Sequence, residues 1–176
     1  MSPHLPILPI LLPLLTGALL LWSGTTRRRL RGGFALASVL AQLAVALALL
    51  AMTDGRLGAP WPNGMAVYAL GNWPAPFGIV LVVDRLAAVM LTLTATLGLA
   101  ALAYSLAGWE RAGSHYLPLF QFLLMGLNGA FLTGDLFNLF VFFEIMLAAS
   151  YGLVLHGSGS ARVLAGMHYI VVNLAA

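Results

Sequence analysis

The 176-residue sequence contains no cysteine and no lysine. Without cysteine there are no disulfides and no thiolate metal sites, although that absence does not locate the compartment. Charge is scarce as well: 7% of residues are charged, with eight arginines against five acids and a net charge of +3. Soluble domains carry about 25% charged and about 45–50% apolar residues, whereas here 61% are hydrophobic. A soluble fold of this size could not hide so much apolar side chain. The positive balance has a local origin, because Arg27, Arg28, Arg29 and Arg31 crowd one short loop. No basic run interleaved with aromatics offers a nucleic-acid surface. There is also no Gly-rich phosphate loop, HExxH, nucleophile elbow, metal-ligand cluster or redox cofactor site, so no enzyme constellation, metal or cofactor is expected. A cleavable signal peptide puts positive charge before its apolar core; here the apolar stretch Leu5–Trp22 comes first and the arginines follow.

Long apolar runs fill the chain. They predict an all-α, polytopic transmembrane helix bundle, since a spanning helix needs about 20 apolar residues. Five full spans are expected over 5–22, 34–52, 79–106, 116–132 and 136–155. Pro6, Pro9 and Pro13 in the first are tolerable where neighbours satisfy the freed carbonyl. A sixth span starts at Arg162 and is still apolar at Ala176; about 15 residues at about 1.5 Å each fall short of a hydrocarbon core about 30 Å thick. The sequence therefore reads as an N-terminal fragment of a longer protein with a truncated sixth helix.

The arginine-rich loop 24–33 belongs in the cytoplasm by the positive-inside rule, which puts the N-terminus outside. Alternation then places loops 53–78 and 133–135 outside, and loops 108–115 and 156–162, with Arg111 and Arg162, inside. In the long outer loop Arg56 is offset by Asp54, Trp61 and Trp73 suit the interface, and the run Ile79–Val83 allows a short hairpin.

Glu144 lies mid-way along the fifth span. A charged group there costs about 2.5–3.5 kcal/mol on insertion scales, so it is a functional candidate with a partner facing it. A carboxyl held between dehydration, which favours the neutral acid, and a nearby cation, which favours the carboxylate, can load and release a proton. The alternative is a structural glutamate that hydrogen-bonds helices together. Its stripe contains Phe137, Phe140, Val141, Leu147, Ala148 and Tyr151; Tyr151 could relay a proton or be an interface aromatic. His168 in the sixth helix could shuttle protons or simply pack. Asp135 reads as an N-cap, Asn138 as interhelical glue, and Asp84–Arg85 as an end anchor. Gln121 and Asn128 share a face and either line a hydrated path or bond helix to helix. Gly126 and Gly129 favour close packing. His115 and His156, at helix ends, look interfacial.

The stretch Met125–Leu153, MGLNGAFLTGDLFNLFVFFEIMLAASYGL, and the loop Ala69–Asp84, ALGNWPAPFGIVLVVD, resemble the proton-translocating family shared by Mrp-type multisubunit cation/proton antiporters and respiratory complex I. GDLFNLFVFFE followed by SYGL is most similar to the D-type subunits of Mrp antiporters. The resemblance implies a larger bundle of inverted repeats, in which residues 1–115 supply three leading helices and 116–176 begin the first repeat. It implies that Glu144 matches the essential fifth-helix glutamate, whose partner is a lysine on the seventh helix, beyond Ala176. It further implies a multi-pass protein of the bacterial inner membrane that works with other subunits of a hetero-oligomeric complex and moves H⁺ and Na⁺. Two other readings stand beside it: a proton-pumping subunit of an NADH–quinone oxidoreductase or related hydrogenase, and a purely structural membrane subunit.

Overall fold

The computed structural model describes residues 4–24, 28–55, 61, 64–73, 78–109, 113, 115–157 and 159–175. A single 3₁₀ turn, Leu5–Ile7, leads into α1 (Leu8–Trp22), followed by α2 (Arg28–Thr53), strands β1 (Ala66–Ala69) and β2 (Val80–Val83), then α3 (Arg85–Leu106), α4 (Tyr116–Leu132), α5 (Leu136–Val154) and α6 (Ser160–Ala175). Pro6 and Pro9 sit in opening turns, where a missing N–H costs little. Pro13 lies inside α1, so the Pro9 carbonyl four residues earlier loses its helical donor.

Four stretches are each long and apolar enough to cross a membrane: Leu5–Trp22, Arg28–Thr53, Arg85–Leu106 and Leu136–Val154. Helix α4 has 17 residues.

The third span begins later than the sequence pattern predicts, and the fold is not wholly helical. Residues Val80–Val83 form a strand paired antiparallel with Ala66–Ala69, Leu81 opposite Tyr68 and Val83 opposite Ala66. The β-branched run alternates its burial, with Leu81 and Val83 turned into the core, as a half-covered strand does. Asp84 then stops the strand and caps α3, its carboxylate accepting from the Ala87 N–H at 2.7 Å. Arg85 does not pair with it but with Asp54 at the end of α2, at 3.1 Å. Sequence proximity assigns Asp54 to Arg56 instead; Arg56, like Arg27 and Arg111, lies outside the described residues.

The hairpin gathers one end of the bundle. His4 Nδ1 lies 2.8 Å from the Tyr68 hydroxyl, Thr133 bridges to Leu81, and the Gly134 N–H donates to the Val80 carbonyl at 2.8 Å. The chain start, the α2–α3 connection and the α4–α5 connection thus share a side. At the opposite end the Arg31 guanidinium donates to the Leu20 carbonyl at 3.1 Å, and Trp109, Tyr116, His156 and Arg162 meet. Successive connections thus alternate between the two ends of the bundle.

Small residues set the helix separations, as they do where lipid removes the hydrophobic drive for helices to associate. A methyl group on Gly17 of α1 would fall 2.9 Å from the Phe122 ring of α4, and one on Gly98 of α3 would fall 3.1 Å from Leu124. On the far side of α4, a methyl on Gly126 would lie 2.8 Å from the Met146 backbone nitrogen, and one on Gly129 would lie 2.1 Å from Phe142. Gly126 and Gly129 therefore fix how closely α5 can approach.

Candidate proton-carrying site

Helix α5 turns Phe142, Met146 and Ala149 toward α4 and the core. At about 100° per residue, Glu144 then points roughly 140–160° away from these contacts. It is exposed, on the same stripe as Phe137 and Phe140, which are 76% and 60% exposed. Among the described residues it makes no hydrogen bond or ion pair. The acid thus stands on the face of α5 that the described residues leave open.

Tyr151 stands two turns further along the same stripe of α5. Its hydroxyl is buried and has no hydrogen-bond partner among the described residues. Its ring meets Tyr169 of α6 edge-on, with centroids 5.9 Å apart. Nothing in the sequence pattern singles out Tyr169 except its place beside His168. His168 is exposed, and the structure does not bring it to Glu144 through any bond among the described residues. Helix α6 rests on the end of α5, where Gly166 lets Leu155 and Val154 approach.

The two readings of Gln121 and Asn128 are decided in favour of helix-to-helix bonding. Both are buried, at 0% and 3% exposure. Asn128 Nδ2 donates to the Pro9 carbonyl at 2.8 Å and to Gln42 Oε1 at 3.1 Å. It thereby satisfies the carbonyl that Pro13 leaves without a donor. Gln42 Nε2 reaches Ser38 Oγ at 3.2 Å and Gln121 Oε1 at 3.4 Å, and Gln121 Nε2 donates to the Ala35 carbonyl at 3.2 Å. Ser38 Oγ completes the set by donating to Gln121 Oε1 at 3.3 Å. One amide network thus ties α1, α2 and α4.

Asn138 is not the interhelical glue that its position predicts. Its N–H donates to Asp135 Oδ1 at 2.7 Å and its side-chain amide to Oδ2, so it serves the cap of its own helix. These bonds hold the Asp135 carboxyl below its ordinary pKa, as expected of an N-cap just outside the span. His156 is less interfacial than its place at a helix end predicts. It is 7% exposed, its Nε2 lies 3.2 Å from the Trp109 carbonyl oxygen, and its ring lies beside Tyr116. Its carbonyl accepts from the Arg162 guanidinium, which also lies 5.2 Å from the Trp109 ring centre. Among the described residues no group of His, Cys, Asp and Glu could hold a metal ion.

No family model matches the chain. Individual relatives do. The D subunit of a probable K(+)/H(+) antiporter of Rhizobium meliloti (strain 1021) is 60% identical over 173 residues, covering 98% of this chain. In the solved structure of the Mrp complex from Dietzia sp. DQ12-45-1b, one chain matches with a TM-score of 0.83 and 36% identity over 99% of this chain. The chain belongs to the family of Mrp-type antiporter D subunits. It is an integral membrane protein of that family, and its four apolar spans agree. The N subunit of the NADH-quinone oxidoreductase of Desulforudis audaxviator (strain MP104C) is 41% identical over 184 residues, covering 100% of this chain, so the likeness to respiratory complexes seen in the motifs is real. The chain spans about a third of the length of these relatives: 32%, 32% and 34% respectively.

Proposed function

We propose that this chain is part of a membrane subunit of a multisubunit monovalent cation/proton antiporter, with Glu144 as the proton carrier. It crosses the bacterial inner membrane with its N-terminus outside and its arginine end in the cytoplasm. Helix α4 completes a set of five full spans, and residues 116–176 open the first antiporter-type repeat after the leading residues 1–115. Other subunits of a hetero-oligomeric complex are its partners, and H⁺ and Na⁺ or K⁺ are its cargo.

The observation that carries this reading is the position of Glu144. Among the described residues it is the one acid inside any of the helices, and it faces away from the bundle on a stripe that ends at a buried, unpartnered Tyr151 hydroxyl. A carboxylate facing hydrocarbon would be costly, so the rest of the longer protein covers this face and supplies a basic group and water. Glu144 loads a proton when that basic group is drawn away and releases it when the cation returns. Tyr151 is the adjoining relay, and His168 in α6 is a further proton-accepting group on the exit side.

The test is Glu144→Ala in the complete subunit, assembled with its partners in membrane vesicles. Proton exchange driven by Na⁺ or K⁺ should disappear while the complex still assembles; normal exchange would remove Glu144 from the mechanism. The respiratory reading is favoured by the oxidoreductase relative, and predicts proton movement that follows electron transfer on neighbouring subunits rather than an added cation gradient. Measuring both drives in the same vesicles separates the two.

A further inference from the structure

At the arginine end, a cleft of about 500 Å³ opens between α1, α4 and α5. Its walls are Leu21 of α1, Leu119 and Phe122 of α4, and Leu155 after α5, with His115 and His156 lining it as well. The volume lies within the range of ligand pockets, about 300–1,000 Å³. The leucines and Phe122 give the cleft hydrocarbon walls. They suit a hydrocarbon chain.

The surroundings select the head of such a molecule. The cleft opens among the ends of spanning helices, at headgroup depth. The described residues of the three connections on this side include Arg28, Arg29, Arg31 and Arg162 and no acid. Arg162 is held beside the cleft by its bond to the His156 carbonyl and its stacking over Trp109. Basic pockets between spanning helices on the cytoplasmic side attract anionic lipid headgroups. We infer that this cleft binds an anionic phospholipid, with an acyl chain against Leu119, Phe122 and Leu155 and its phosphate at His115 and His156. The site is separate from Glu144, which faces the other way on α5, and stands whether or not Glu144 carries protons.

The experiment uses the full-length protein in its complex, in phosphatidylcholine vesicles doped with phosphatidylglycerol carrying a photoreactive group on an acyl chain. Adducts mapped by mass spectrometry should fall on Leu119, Phe122 and Leu155, and excess unlabelled phosphatidylglycerol should suppress them while phosphatidylcholine does not. Leu21→Trp, a change at a half-exposed wall position, should fill the cleft and abolish those adducts. Arg162→Gln should reduce them about fivefold, the effect of one arginine beside an anionic headgroup. Adducts spread evenly over outward positions such as Leu93 and Leu97, and indifferent to both variants, would reduce the finding to bulk lipid and overturn the proposal. So would an absence of adducts, which would mean that the rest of the chain or another subunit fills the cleft.

Discussion

Helices α1, α2 and α4 share a closed polar system. Ser38, Gln42, Gln121 and Asn128 are all buried, and each reaches another member of the network or a backbone carbonyl. On α5 and α6 the polar groups are left open: Glu144 and His168 are exposed, and the buried Tyr151 hydroxyl has no partner among the described residues. Both regions are built from apolar helices, so composition does not explain the difference. The α1–α4 side is finished, because a buried amide without a partner would destabilise it by about 1–3 kcal/mol. The α5–α6 side holds its polar groups ready for a surface that the described residues do not provide. A carboxyl that changes protonation has to be reachable by water or a basic group, and the open side leaves Glu144 reachable.

If α5 is held at a set distance so that this face meets its partner, filling the gap should have the largest effect. Gly129→Leu drives a side chain into Phe142, which already lies 2.1 Å from the position of a first methyl. Overpacking of this kind costs about 1–3 kcal/mol, sometimes more, and α5 must shift. Thermal unfolding of the full-length protein should fall accordingly, and exchange should fall with it. Unchanged stability would mean that the α4–α5 contact is loose and the contrast overdrawn.

The closed side can be probed by opening it. Asn128→Ala orphans the Pro9 carbonyl and should cost about 1–3 kcal/mol. Adding Pro13→Ala gives that carbonyl a helical N–H again, so the double variant should recover part of the loss. Additive losses would mean that Asn128 acts through something other than the carbonyl freed by Pro13.

The smallest effect belongs at the entrance to α5. Asp135→Ala should cost about 0.5–2 kcal/mol by removing the N-cap. Because the folded carboxyl titrates below the ordinary value of 3.8, its contribution is fully present above that value and is lost as pH falls through the lower folded one. The difference between wild type and variant, followed by unfolding, should be flat near neutral pH and shrink only in strong acid. A difference that faded near neutral pH would assign the effect to another group.

Much of this is legible in the sequence. Apolar runs mark the spans, Gly126 and Gly129 mark the tight α4–α5 contact, and the GDLFNLFVFFE stretch marks the family. What escapes is set by tertiary partners. Val80–Val83 can be read both as the start of a span and as an arm of a short hairpin until Ala66–Ala69 offers the strand that decides it. Asn138 looks like glue until Asp135 is seen to accept both of its donors. Asp54 pairs with Arg85, distant in sequence but adjacent across the helix ends. The pairing of Asn128 with Pro9 joins residues 119 positions apart; the prolines announce a freed carbonyl, but only the packing says which amide answers it.

The central claim is that Glu144 faces a protein-lined, hydrated space in the complete molecule. Since the chain has no cysteine, Glu144→Cys in the full-length protein, on an otherwise cysteine-free background, can be tested for reaction with a small, charged, water-borne thiol reagent. The account predicts labelling from the aqueous phase, slowed in a variant that fills the α5 face. Labelling by a lipid-dissolved reagent alone would place position 144 against acyl chains and contradict it.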